Sequence, residues 1–214
     1  MSVSSFLEFD TVLESPSGRS KLLVSSGIPQ ELMQEVRAEM STLQLTHRPS
    51  LGMIYGKECF SPRDIGFFSD EAREYAYSNS ARPALSLPPA MKKLMEWVNS
   101  TVCDSVKFNG VLVNLYPDGR STIGSHSDNE PELVPGVGVL ALSFGATRKF
   151  RVRDKKTGKI VMDVPAKDGE IMWMAGDFQK EYKHEIPAEL KIKEQRVSYT
   201  FRYHKKVQVI NKIF

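Results

Sequence analysis

The sequence predicts a mostly β protein, a sandwich or jelly-roll core behind a helical N-terminal layer. Three observations carry this expectation. Two amphipathic helical patterns fall before residue 105. From residue 106 onward, short β-prone runs follow one another, separated by Pro-Asp-Gly, Pro-Gly, Lys-Lys-Thr-Gly-Lys and Lys-Asp-Gly turns. No helical periodicity interrupts those runs, which excludes the alternating pattern of a parallel βαβ sheet. The expected organisation is 1–105 for the helical layer and an irregular ring-rich segment, 106–205 for the β core, and 206–214 for a basic tail.

Residues 1–27 are mixed and Ser-rich and read as an arm or edge strand. Pro29 opens a helix in which Leu32, Val36, Met40 and Leu43 recur at helical spacing, and His47-Arg48-Pro49-Ser50 breaks it. Residues 51–83 alternate aromatic rings with Arg, Lys and Gly. Such a segment makes poor core, and it either covers one side of a barrel or stacks on something flat. Pro88-Pro89 opens a second helix, with Met91, Leu94, Met95 and Val98 on its buried face and Trp97 beside it. The strand runs are Val111–Val113, Val137–Phe144, Phe150–Val152, Ile160–Val164, Ile171–Met174 and Val197–Tyr203.

The 214 residues suffice for one large domain or a core with a lid, and 41% hydrophobic with 26% charged residues is ordinary globular composition. Net charge is only +3, so any preference for a polyanion must come from local clustering. Cys59 and Cys103 are too few for a disulfide framework and fit free thiols in a reducing setting. No apolar run reaches membrane-spanning length, and the N-terminus lacks the pattern of a signal peptide. A soluble intracellular protein with no membrane contact is expected.

Function is carried by His126-Ser127-Asp128. In extended backbone, side chains two apart leave the same face, so an imidazole and a carboxylate point at one spot. His184, in Lys183-His184-Glu185-Ile186-Pro187, is the candidate third ligand. Two histidines and one carboxylate make the facial triad of non-haem Fe(II) oxygenases, with coordination positions left open. A lone His-x-Asp in a chain with 26 acidic residues is weak by itself. His47 and His204 lack this context and read as surface or edge histidines.

The last strand strengthens the reading. Val197, Tyr199, Phe201 and Tyr203 share one face; Arg196, Ser198, Thr200 and Arg202 share the other. If the apolar face packs on the helices, two guanidinium groups enter the barrel. Buried charges of that kind need partners, which a small dianion with a carboxylate at each end supplies. Taken alone, the same alternation fits an ordinary amphipathic strand. Other chemistries fail on spacing: there is no His-Glu-x-x-His, no Cys-x-x-Cys, no phosphate-cradling Gly-x-x-x-x-Gly-Lys and no Gly-x-Ser-x-Gly. The run Arg148 to Lys159 is the densest basic segment, and Lys149, Arg151 and Arg153 share a strand face suited to tracking phosphates or to guarding a solvated hairpin edge.

Asn114-Leu-Tyr116-Pro-Asp-Gly, His126-Ser-Asp128-Asn-Glu130, Leu142-Ser-Phe-Gly-Ala146, His184 and Arg196-x-Ser-x-Thr-Phe-Arg202 together resemble the AlkB family of Fe(II)- and 2-oxoglutarate-dependent oxygenases, over roughly residues 50–203. Tyr55-Gly-Lys57, Pro62-Arg63 and Tyr75-x-Tyr77-Ser78 resemble the nucleotide-recognition lid of its double-stranded-DNA repair branch. The resemblance implies a double-stranded β-helix (jelly-roll) core and removal of N-alkyl groups such as those of 1-methyladenine and 3-methylcytosine, with Fe(II), 2-oxoglutarate and O2. It implies His126, Asp128 and His184 as iron ligands, Asn114 and Tyr116 on 2-oxoglutarate, Arg196 on its distal carboxylate, and Arg202 near its metal-chelating end. Ser198 stands where the family usually has asparagine, so one cosubstrate contact is shortened or water-bridged. Glu130 would face the damaged base, Tyr77 would stack on it opposite His184, and Tyr55 would fill the gap in the duplex, with Arg63 in the lid. The partner implied is alkylated double-stranded DNA with a flipped base, met by a monomer in the nucleus of a eukaryote or otherwise in the cytoplasm. An RNA demethylase of the same family and a non-catalytic nucleic-acid-binding sandwich are the competing readings.

Overall fold

The computed structural model describes residues 6–71, 74–77, 80–102 and 106–205, with the backbone alone for residues 54, 74–77 and 80–83. Cys103 and the tail 206–214 lie outside the described residues. In chain order, β1 (Asp10–Glu14) and β2 (Ser20–Ser25) form a hairpin followed by α1 (Gln30–Met40). Two further hairpins are β3 (Ser50–Ile54) with β4 (Lys57–Phe60) and β6 (Glu74–Tyr77) with β7 (Ser80–Pro83), flanking β5 (Asp64–Phe68). Then come α2 (Pro89–Thr101), β8 (Gly110–Tyr116), β9 (Ile123–His126), β10 (Val139–Gly145), β11 (Arg148–Asp154), β12 (Ile160–Ala166) and β13 (Ile171–Gly176). The short α3 (Phe178–Glu181), β14 (Tyr182–Ile186) and β15 (Arg196–Arg202) complete the fold.

Seven strands form a major sheet in the order β1-β2-β13-β10-β15-β8-β5, and four form a minor sheet in the order β12-β11-β14-β9. All named pairings are antiparallel. The two sheets face each other as a jelly roll. Between them pack Leu22, Tyr116, Val139, Phe150, Val152, Met172, Met174 and Ile186. The outer face of the major sheet carries the second core, where Val197, Tyr199 and Phe201 meet Met91, Leu94, Met95 and Val98 of α2. This is the expected division of β15, and it sends Arg196, Ser198, Thr200 and Arg202 inward.

The α2 helix begins after Pro88 with no capping side chain of its own. Glu39 of α1 supplies one: its two carboxylate oxygens accept from the backbone N–H of Ala90 and of Met91, each at 2.8 Å. An anion at the positive end of a helix satisfies groups that otherwise lack partners.

The first 105 residues contribute strands as well as helices to the core. β2 lies inside the sheet beside β13, with Leu22 fully buried, and of this hairpin β1 is the edge strand. β5 pairs with β8, and Ile65, Phe67 and Phe68 are 3–4% exposed, so this part of the ring-rich segment is core. Gly66 allows the fit, since a Cβ there would lie 2.6 Å from Leu45 Cδ2. The exposed part is the β3–β4 hairpin. Tyr55 and Gly56 at its tip have φ of 49° and 75°, the left-handed pair of a tight hairpin turn, and the Tyr55 side chain projects fully into solvent.

Candidate metal centre and cosubstrate chamber

His126 ends β9, Asp128 sits two residues on in a loop, and His184 is central in β14, the strand paired with β9. His126 and His184 are cross-strand partners. The next aligned pair is Ile123 with Ile186, so β9 holds one more residue than β14 over that interval. This bulge is why Ile123 and His126, three apart, both line the same chamber.

One ligand atom from each of His126, Asp128 and His184 lies within 4.8 Å of the others. His126 Nε2 is 3.8 Å from Asp128 Oδ1, and His184 Nε2 is 3.5 Å from Asp128 Oδ2. The Gly124 carbonyl sits 2.8 Å from His126 Nδ1 and can only accept, which puts the proton on Nδ1 and leaves the Nε2 lone pair for a metal. Burial, reinforced by His126, pushes the His184 pKa down to about 3, so the imidazole is neutral, as a ligand must be. Burial opposes ionisation of Asp128, but nearby positive charge, that of Arg202 first, outweighs it and holds the carboxyl at about 2.

The two histidines differ in what covers them. His184 stacks on Phe150 with the rings 17° apart, meets His126 at 4.3 Å, and its side chain is 7% exposed. The His126 side chain is 27% exposed. Of the two rings, that of His126 is therefore the more open.

The chamber wall is a set of rows across the major sheet. Ser198 on β15 is the register partner of Ser143 on β10 and of Asn114 on β8, and Arg196 pairs with Tyr116 in the neighbouring row. All line the chamber together with the three ligands, Thr200 and Arg202. Arg196 is 3% exposed; one nitrogen donates to Ser143 Oγ at 2.8 Å, and its Nε and Nη1 are buried without partners. Burial depresses its pKa, Tyr116 opposing and Arg148 adding to the shift. A guanidinium in this state lacks an anion. Arg202 already has carboxylate partners within the protein. It donates to Asp128 Oδ1 at 2.7 Å and to Glu130 Oε1 at 3.3 Å, because the buried ligand carboxylate itself requires a counter-charge. The anion-seeking end is thus Arg196.

Three other expectations are relocated. Arg63 is 2% exposed and donates from Nε to Asn114 Oδ1 at 2.7 Å, so it braces the chamber wall from inside instead of standing on the lid surface. Lys149, Arg151 and Arg153 do share a face, but Asp163 and Glu185 pair with them: Arg151 donates to both oxygens of Asp163 at 2.7 and 2.9 Å, and Arg153 lies 2.9 Å from Glu185. Three cations against two carboxylates leave little net charge there. Lys156 and Lys159, in the turn after β11, carry no salt bridge among the described residues. His204 is 5% exposed, its ring 5.5 Å from that of Phe67, and burial first, then Arg202, lowers its pKa to about 4. His47 is exposed beside Asp64, as expected. Glu130 lines a second cavity that shares Asp128 with the chamber. Tyr77 lies on β6, and its side chain is outside the described residues.

Composition alone did not single out Ser143, Phe150, Arg148 or Gln179. Arg148 looked like part of a basic surface run, yet it is 1% exposed, donates to the carbonyls of Asp118, Ser121 and Pro187 at 2.8–3.0 Å, and pairs with Glu189. A single hydroxyl within the apolar run Val137–Phe144 was the available signal for Ser143.

Residues 24–202 match the 2OG-Fe(II) oxygenase superfamily. The chain belongs to that superfamily. Among similar curated proteins, the DNA oxidative demethylase ALKBH2 of Homo sapiens is 30% identical over 179 residues, 80% of this chain and 67% of that protein. The protein of the same name from Mus musculus is 33% identical over 159 residues, 70% of this chain and 64% of that one. This oxygenase spans about two thirds of the length of these relatives. The solved structure of OsALKBH1 has the same fold, with a TM-score of 0.60 at 17% identity, covering 91% of this chain and 100% of that one.

The centre fits what the superfamily carries. Two imidazoles and one carboxylate on one side of an ion would leave room for a bidentate 2-oxo acid and for O2. The unpartnered Arg196 donors fit a distal carboxylate, with Ser143, Ser198 and Asn114 beside them. Among the described residues, no helix is long and apolar enough to cross a membrane.

Proposed function

We propose that this oxygenase repairs alkylated DNA by oxidative removal of N-alkyl groups, with 1-methyladenine and 3-methylcytosine as the type lesions. What carries the reading is one chamber holding an open-faced two-histidine, one-aspartate centre and a buried guanidinium with unpaired donors, in a chain akin to named DNA oxidative demethylases. The overall change is balanced as follows. One oxygen atom of O2 goes into succinate as 2-oxoglutarate loses CO2, and the other is inserted into a C–H bond of the N-methyl group. The resulting N-hydroxymethyl base breaks its C–N bond, formaldehyde leaves, and the ring nitrogen keeps the electron pair or takes a proton.

Bound iron supplies the activation of O2. The chain's own groups do the positioning. Arg196 would hold the distal carboxylate of 2-oxoglutarate, with Asn114, Tyr116 and Ser198 along the same wall. Arg202 keeps Asp128 ionised and aimed. A base inside a duplex cannot reach this chamber, so it would enter flipped out, and a lesion that blocks pairing lowers that cost. The open ring of His126, not the covered ring of His184, is the platform such a base would meet, with Tyr77 offered from the β6–β7 hairpin. Glu130 would face its exocyclic edge. Tyr55, at a hairpin tip in solvent, suits a wedge that fills the vacated stack, which favours duplex over single strands. Phosphate contact is assigned to Lys156 and Lys159 ahead of the neutralised Lys149, Arg151 and Arg153.

The test is to load the protein anaerobically with Fe(II) and 2-oxoglutarate, add a duplex oligonucleotide carrying one 1-methyladenine, and admit air. Loss of one CH2 from the strand, with formaldehyde and succinate formed, is expected. Succinate formation indifferent to methylated DNA, with the lesion intact, rejects the substrate assignment.

A further inference from the structure

The loop that carries Asp128 is bridged to the end of β15 only further on, at Leu133, and beside Asp128 itself one side of the loop is hollow. A cavity of about 340 Å³ opens against it, lined by Asp128, Glu130, Val134, Val139, Gly176 and Gln179 among others. Two hydrogen bonds span from the loop to the α3–β14 segment. Ser127 Oγ donates to the Tyr182 carbonyl at 2.8 Å, and the backbone N–H of Asp128 donates to Gln179 Oε1 at 2.8 Å. The amide orientation of Gln179 follows from its partners, since the peptide N–H requires the oxygen, while Nε2 points at Met174 Sδ, 3.2 Å away. The same short segment leads directly into β14 and His184.

From this geometry we propose that Gln179 is a positioning residue for the metal centre. It fixes the Asp128 backbone relative to the segment leading to His184, while Arg202 holds only the carboxylate. It does not line the chamber, and it lies on α3, outside both sheets. Its contribution is to keep the carboxylate at ligand distance before an ion arrives, which sets affinity for the ion. The proposal rests on the assignment of His126, Asp128 and His184 as ligands.

The probe is Co(II), titrated anaerobically into the metal-free full chain and followed by its visible absorption bands. Gln179→Ala is expected to raise the Co(II) dissociation constant about ten-fold or more. Gln179→Glu keeps an acceptor at the same place and is expected to restore most of the affinity, which a loss of general packing would not allow. In the metal-free wild type, the Asp128 amide is expected to be protected from hydrogen exchange although it lies in a loop, and to lose that protection in Gln179→Ala. Wild-type Co(II) affinity in Gln179→Ala overturns the proposal, as does a Gln179→Glu protein no better than the alanine variant. An unprotected Asp128 amide in the wild type overturns it without any variant. Failure of the wild type itself to bind Co(II) removes the ligand assignment and the oxygenase reading together, a result distinct from a wild type that binds and a variant that binds equally well.

Discussion

Arg202 donates to Asp128 Oδ1 at 2.7 Å with the two side chains 1% and 8% exposed, so the candidate ligand carboxylate has a buried counter-charge of its own. Removing one member of a buried pair strands the other charge. Arg202→Met is therefore expected to destabilise the metal-free protein by about 3–5 kcal/mol. Urea unfolding with and without Co(II) checks this, and the deficit is expected to shrink when the metal neutralises Asp128. A metal-free variant as stable as wild type contradicts the pairing.

Arg196 has two buried donors to offer a carboxylate, and each charged hydrogen bond contributes about 1.5–3 kcal/mol. Arg196→Met is expected to weaken 2-oxoglutarate binding at least about ten-fold, while Co(II) affinity is unchanged. Calorimetric titration of 2-oxoglutarate into Co(II)-loaded protein separates the two. Equal binding in wild type and variant places the distal carboxylate elsewhere.

His204 gives the fold an acid-sensitive element. Its folded pKa of about 4 lies below the ordinary 6.5. As pH falls, the unfolded chain takes the proton first, so the contribution of His204 is complete above 6.5 and is lost as pH drops toward 4. The loss amounts to at most about 3 kcal/mol. His204→Gln is expected to flatten the stability profile in that window, measured as the difference between wild-type and variant urea midpoints at pH 7.5, 6 and 5. Parallel profiles would show that this ring does not carry the dependence.

Tyr55 touches none of the chamber residues, so its effect should depend on the substrate. Tyr55→Ala is expected to reduce demethylation of duplex DNA roughly ten-fold, the loss of one aromatic–base stack, and to spare single strands. Initial rates on matched single- and double-stranded oligonucleotides decide it; equal loss on both argues against a wedge.

Glu39 tests the helical layer independently of the centre. Glu39→Ala leaves the Ala90 and Met91 N–H groups without their partner and is expected to cost about 1–2 kcal/mol of stability. Co(II) affinity should not change. A variant that loses metal in proportion to stability would mean that the helices and the chamber are energetically coupled.

The legible parts of this protein share one property: their signal is local. His126 and Asp128 are two residues apart, and Arg196 and Arg202 announce themselves by alternation in a single strand. Where the partner is distant in sequence, the side chain misleads. Arg148 looks like one more cation in a basic run, but its acceptors lie near residues 118–121 and 187–189. Arg63 looks like a lid residue until β5 is seen beside β8, and β5 itself was obscured by Gly66, which removes one apolar position from the pattern. The neutralisation of Arg151 by Asp163 is a cross-strand event that no reading of β11 alone could contain. His204 reads as an edge residue because its burial depends on Phe67, far away along the chain.

The bulge in β9 sets fold regularity against chemistry. Deleting Gly124 or Ser125 would let the strand run in even step with β14, a tidier ladder by every criterion of pairing. Evening the strand would leave the following imidazole on the face of Ile123, but it would disturb the Gly124 carbonyl that fixes the proton on its Nδ1. A shortened chain of this kind should keep its ladder while holding its ion less well, so sequences refined for backbone ideality alone would select against a defect that orients a ligand.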